Sequence, residues 1–175
     1  MSLKQFVRKK FYGKKRFQFF FLKLHTISLG GMNYGNFDFS INGEYYFLKR
    51  VHTLLKNKKE ITLFDVGANA GQYSDVINKI FEKNTVVHAF EPSPTAYRNM
   101  QKQVYDNIKM KLNPFGLSDK EGTTVLFCNT LGGTGITVFE IEKKHGIFGW
   151  EHTEEISLST LDKYCIENSI EHIDF

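Results

Sequence analysis

From Glu60 to Ser118 the chain alternates short apolar runs with stretches of helical spacing. That alternation narrows the fold more than any other feature. The run EITLFDVGA is apolar and β-branched and stops at Gly67, as a buried strand does. Residues 71–82 follow with Tyr73, Val76, Ile77, Ile80 and Phe81 on one helical face. TVVHAFEPS, Thr85 to Ser93, predicts a second buried strand. SPTAYRNMQKQVYDN predicts a helix with Ser93 as N-cap and Pro94 at its first position. IKMKLNPFGLS reads as a third, less regular strand. Strand, helix, strand, helix, strand in this order implies parallel strands joined by right-handed crossovers. The expected class is therefore α/β, a Rossmann-like doubly wound and mostly parallel sheet.

On either side the pattern differs. Residues 44–57 have helical spacing, with Tyr45, Leu48, Val51, Leu54 and Leu55 on one face. Residues 26–47 are rich in Gly, Asn and aromatics and read as loop with short extended pieces. After the third strand, GTTVLFCNT and EEISLST predict an antiparallel pair joined by LGGTGITVFEIEKKHGIFGW. STLDKYCIENS predicts a short helix capped by Ser159 or Thr160, and IEHIDF starts a further strand. At 175 residues the length suits one core-forming domain over residues 44–175, preceded by an arm and loop over residues 1–43. Seventeen Phe and eight Tyr predict an aromatic core. The two cysteines, Cys128 and Cys165, fit no metal or disulfide spacing. They point to reduced thiols and a cytoplasmic compartment.

Charge is distributed unevenly. Of twenty-three Lys and Arg residues, eight precede Asp38, the first acid; fifteen follow it, against nineteen Asp and Glu. The arm LKQFVRKKFYGKKRFQFFFLKL interleaves cations with aromatics. Two readings stand: residues 1–24 as an interfacial segment on an anionic membrane, or a solvated helix whose Phe stripe docks on its own domain. An acidic body argues against a nucleic-acid partner. No apolar run reaches the ~20 residues that span a bilayer.

The chemistry sits where the first strand turns into its helix. Asp65, Gly67, Asn69 and Gly71 fall in one tight turn of spacing G-x-N-x-G. Ligands of open α/β sheets bind at the carboxyl ends of the strands. Gly67 tolerates backbone angles that a Cβ forbids, and the helix N-terminus offers unpaired N–H groups. With Asn69 in place of a middle glycine, the turn departs from the G-x-G-x-x-G that cradles a pyrophosphate. It suits a smaller ligand with a zwitterionic end. Glu91, ending the second strand, is placed to accept hydrogen bonds from ribose hydroxyls.

FDVGANAGQYS, VHAFEPSPTAYRNM, NPFGLSDKEGTTVLF and ISLSTLDKYC…IDF together resemble the FkbM-type methyltransferases, over about residues 60–175. The resemblance implies the class I methyltransferase fold and S-adenosylmethionine as donor. It implies Asp65, Gly67, Asn69 and Gly71 on the methionine and ribose side, with Ala68 between them. Glu91 would hold the ribose, and Ser118 and Asp119 would lie near the adenine. Asp119 reads equally as a cap of the turn SDKEG. Acceptors implied are small molecules, sugar hydroxyls among them. The family's fourth strand continues past Ile-Asp-Phe into Lys-Ile-Asp-x-Glu-Gly, which is absent. This predicts a chain ending within its fourth strand, with an open edge on the first, and raises an inactive fragment as the alternative. A nicotinamide-dinucleotide protein is disfavoured by the G-x-N-x-G spacing. His145 and His152, flanking GIFGW, are candidate bases. Leu131 to Thr137 reads as a lid or a plain connection. No residue is singled out as catalytic and no metal is expected.

Overall fold

The computed structural model describes residues 2–36, 38–133 and 151–175. Two compact units divide the chain, Met1–Tyr46 and Phe47–Phe175.

In the first unit, α1 (Leu3–Phe11) opens on a capping box: the Ser2 hydroxyl accepts from the Gln5 N–H, and the Gln5 side chain accepts from the Ser2 N–H. Helix α2 (Lys15–Gly31) follows, with Gly13 at φ +70° in the joint. Residues 26–31, expected as loop, belong to α2. Their hydroxyls explain it: Thr26 Oγ1 donates to the Leu22 carbonyl and Ser28 Oγ to the Leu24 carbonyl. These bonds satisfy the polar side chains inside the helix instead of ending it. No residue of α2 is buried.

Helix α3 (Glu44–Leu55) leads into the second unit, where β1 (Ile61–Val66), α4 (Gln72–Ile80), β2 (Thr85–Phe90), α5 (Pro94–Met100) and β3 (Lys109–Asn113) follow in the expected order. The strands form a three-stranded parallel sheet ordered β1-β2-β3. β2 is central and buried at every residue, as a parallel strand covered on both faces must be. One face carries Ile61, Leu63 and Val87 against Leu48 of α3 and Ile77 of α4, with Phe81 just beyond it. On the other, Phe64 stacks on His88 with centroids 5.0 Å apart, and Tyr164 meets Phe90 edge-on at 4.8 Å.

The third strand breaks earlier than IKMKLNPFGLS suggests. Pro114 has no N–H for the ladder, so β3 stops at Asn113 and β4 (Gly116–Ser118) enters a second sheet. There β4 pairs parallel with β6 (His152–Thr160), which pairs antiparallel with β5 (Gly122–Cys128). Helix α6 (Leu161–Glu167) follows, with the Thr160 hydroxyl accepting from the Lys163 N–H as its cap. The expected strand at IEHIDF is not a regular one. Two backbone bonds, Asp174 N–H to the Thr62 carbonyl and Phe64 N–H to the Phe175 carbonyl, lay residues 174–175 along the outer edge of β1. The Asp174 carboxylate, 4% exposed, secures them by accepting from the Thr62 N–H at 3.0 Å and pairing with Lys58. Burial would raise its pKa, but Lys58, Thr62 and His172 together hold it below the usual range.

Candidate functional site

The turn after β1 folds back onto the tip of β2. The N–H groups of Gly67 and Ala68 both donate to the Phe90 carbonyl, at 2.9 and 3.0 Å. This tight reversal needs left-handed backbone at Gly67 (φ +82°), Asn69 (φ +50°) and Gly71 (φ +87°). Asparagine is among the few side-chain residues that tolerate it, because its amide bonds locally. Here Asn69 Oδ1 accepts from the Ala70 N–H at 2.6 Å.

The two glycines serve different neighbours. A Cβ on Gly67 would meet nothing within 4 Å, so that side of the turn is open. A Cβ on Gly71 would collide with the Tyr105 hydroxyl and lie 3.3 Å from Met100 Cγ. Gly71 therefore makes room for the protein's own side chains, Tyr105 and Met100.

Glu91 is 1% exposed, and both its oxygens are engaged. Oε2 accepts from the Asn69 N–H at 2.8 Å, and Oε1 accepts from the Ser93 N–H at 2.7 Å. The acid at the second strand's tip thus clamps the first strand's turn to the start of α5. Burial pushes its carboxyl above the ordinary range; the two N–H donors pull it back, while the Glu154 and Asp65 charges push it further up. Asp65, 7% exposed, accepts from the Ser74 hydroxyl at 2.6 Å. Burial raises it also, against that hydrogen bond. Two buried carboxyl groups thus lie at the ends of adjacent parallel strands. An ionised carboxylate has about four lone-pair positions, so Glu91 keeps acceptor capacity after its two backbone bonds.

Two residues at this rim were missed by the sequence reading. Glu154 of β6 accepts from the hydroxyls of Ser93 and of Thr95, the latter at 2.7 Å. A signal for it exists: Glu154 alternates in phase with Ile156 and Leu158, a glutamate on the inward side of a strand. Tyr105 sits in irregular chain, where periodicity says nothing. Its hydroxyl is buried and has no hydrogen-bond partner among the described residues. Burial, with the charges of Asp65 and Asp75, pushes it up to about 12.

Asp65, Gly67, Ala68, Asn69, Gly71 and Glu91 are thus gathered at one rim. Ser118 ends β4 in the second sheet, and its hydroxyl donates to its neighbour Asp119 at 3.1 Å. Gly116 of β4 lies between the sheets: a Cβ there would press on Leu158 of β6 at 3.0 Å and touch Pro92, next to Glu91, at an ordinary 3.5 Å. His152 opens β6 as an exposed residue opposite Cys128, and His145 lies outside the described residues. Of Leu131 to Thr137, only the first three residues are described. There the Gly133 carbonyl accepts from Asn69 Nδ2 at 3.1 Å. A cleft of about 560 Å³ lies away from this rim, between the β1–β3 sheet and residues 168–174, lined by Lys58, His88, Lys109 and Lys111 among others.

No curated protein matches the chain. The family model described as "Methyltransferase FkbM domain" matches residues 65–175, a span that begins at Asp65 near the end of β1 and covers the whole rim.

Proposed function

The chain belongs to the FkbM methyltransferase family, and from that premise we propose that it transfers a methyl group from S-adenosylmethionine to a hydroxyl oxygen of a small molecule, a sugar hydroxyl being the class the family resemblance favours. The observation that carries this reading is the 2.8 Å bond from the Asn69 N–H to Glu91 Oε2. It joins the glycine turn of one strand to the acid of the next, which supports the reading that both address a single ligand.

The residues present suit that donor. The open side of Gly67 leaves space that a Cβ would fill. Asp65, oriented by Ser74, offers a carboxylate to an ammonium group. Glu91, 1% exposed with an N–H on each oxygen, would have to be uncovered before its remaining lone pairs reach ribose hydroxyls. When ionised, the rim's two buried carboxyl groups favour a ligand bearing ammonium and sulfonium charges and oppose a pyrophosphate. The same electrostatics disfavour a nicotinamide dinucleotide. When bound, S-adenosylmethionine supplies an activated methyl on a sulfonium leaving group. The protein's part is then to hold donor and acceptor in line and exclude water. The Glu91 clamp keeps the turn rigid, and the Glu154 bonds to Ser93 and Thr95 hold the start of α5 beside it.

Calorimetric titration with S-adenosylhomocysteine tests the reading. The expected result is saturable one-site binding, with no heat from NADH. Binding of NADH without S-adenosylhomocysteine would overturn it.

A further inference from the structure

The aromatic and basic residues ahead of Asp38 are not used by the site, and the structure shows how they are arranged. Helices α1 and α2 meet through Phe11 and Phe17, with centroids 4.9 Å apart, and Tyr12 meets Phe21 edge-on at 6.0 Å. Most of the remaining apolar side chains of α2 are exposed. Phe20, Leu24 and Ile27 recur at spacings of four and three and so share one face. They are 59%, 47% and 69% exposed. Arg16 and Lys23 lie one turn before Phe20 and Ile27 and border that face. Cations also sit over rings within the unit: Lys10 over Phe6, Arg16 over Phe17 and Lys23 over Phe19, at 4.8 to 5.2 Å.

We propose that α1 and α2 form a docking element for an anionic lipid surface, lying in the plane of the interface with Phe20, Leu24 and Ile27 in the acyl boundary and the flanking cations at the headgroups. Charge complementarity selects this occupant: eight Lys and Arg precede the first acid of the chain. The aliphatic members decide against nucleic acid. Phe can stack on bases, but exposed Leu24 and Ile27 gain nothing from a phosphate backbone and much from hydrocarbon. No described helix is long and apolar enough to cross a membrane, so the element lies on the surface. The proposal is independent of the methyl-transfer reading, because it uses none of the rim residues.

Co-sedimentation of the full chain with phosphatidylcholine vesicles, with and without phosphatidylserine, tests it. Strong binding is expected only with phosphatidylserine, falling as salt rises. Each cation near such a surface multiplies partitioning about fivefold. Replacing Lys14, Lys15, Arg16 and Lys23 together by Gln should therefore lower it about a hundredfold or more. The pair Leu24→Ser and Ile27→Ser should lower it while leaving the thermal midpoint in place, because neither side chain is buried. Equal binding to neutral vesicles would overturn the proposal, as would parental binding by the Leu24→Ser, Ile27→Ser variant. So would an RNA duplex bound by a chain that ignores vesicles, or self-association through this face without lipid binding.

Discussion

Replacing Glu91 by Gln changes almost no volume and tests the clamp directly. The carboxylate takes one backbone N–H on each oxygen, at 2.8 and 2.7 Å. Glutamine keeps one acceptor and turns an amide NH₂ toward the other N–H, so two donors face each other in a site 1% exposed. Losing a charge-assisted hydrogen bond costs about 1.5–3 kcal/mol, and the stranded buried N–H adds about 1–3 kcal/mol. Relief from burying a charge, which pushes the Glu91 carboxyl up, offsets part of that. A net loss of about 3 kcal/mol follows, which lowers the midpoint by about 10 °C in a unit of this size. Differential scanning calorimetry reads the midpoint. Titration with S-adenosylhomocysteine reads the site, and the variant should bind at least about tenfold more weakly, since about 1.4 kcal/mol suffices for that. The exposed Glu82→Gln is the control and should change neither. A Glu91→Gln midpoint within about 2 °C of the parent would refute the clamp, because no pair of buried donors can be that cheap.

Four further outcomes follow from the same packing. Gly71→Ala should cost about 2–4 kcal/mol in chemical denaturation, from left-handed backbone and collision with Tyr105. Tyr105→Phe, which removes an unpartnered buried hydroxyl, should be neutral or stabilising and should recover part of that loss in the double variant. Burial and Lys111 lower His88 from 6.5 to about 4, so the unfolded chain binds a proton between those values that the native imidazole does not. Stability should therefore fall by about 3 kcal/mol as pH drops from 6.5 to 4, and His88→Gln should flatten that part of the profile in urea titrations. Asp174→Asn should speed amide exchange at Thr62 and Phe64 about tenfold or more, because the lost Lys58 pair and weakened Thr62 bond are worth at least about 1.4 kcal/mol.

The parts of this fold legible in the chain were those written in local periodicity. β1, α4, β2 and α5 each announce themselves through apolar spacing, a stopping glycine or a capping serine. Their order then dictates parallel strands. The antiparallel partners β5 and β6 and the Thr160 cap were legible for the same reason. What local pattern cannot carry is a decision made by distant partners. The split between β3 and β4 turns on Pro114 and on Leu158 waiting across the second sheet. The helical state of residues 26–31 turns on two hydroxyls bonding backward. At the rim, the meeting of the glycine turn with Glu91 was readable because a tight strand-to-helix turn demands those residue types. That Glu91 spends two acceptor positions on backbone was not, since no sequence records where an N–H points. Tyr105 could not be read at all, for it reaches the rim from irregular chain.

The strand pairings also differ in how far apart their partners lie along the chain, Cys128 and His152 of β5 and β6 being no farther apart than Ile61 and Thr85. Ile61 finds Thr85 across a single helix, whereas Gly116 must find Leu158 beyond the whole of β5 and everything that follows it. Closing a longer loop costs more chain entropy before any contact repays it. During synthesis the β1–β3 layer can therefore assemble while β6 is still unmade. The β4–β6 pairing then closes last, and the Ser93 and Thr95 hydroxyls gain their Glu154 partner only once β6 has been made. Pulse-labelling of a refolding chain should show the amides of β2 sheltered well before those of β6.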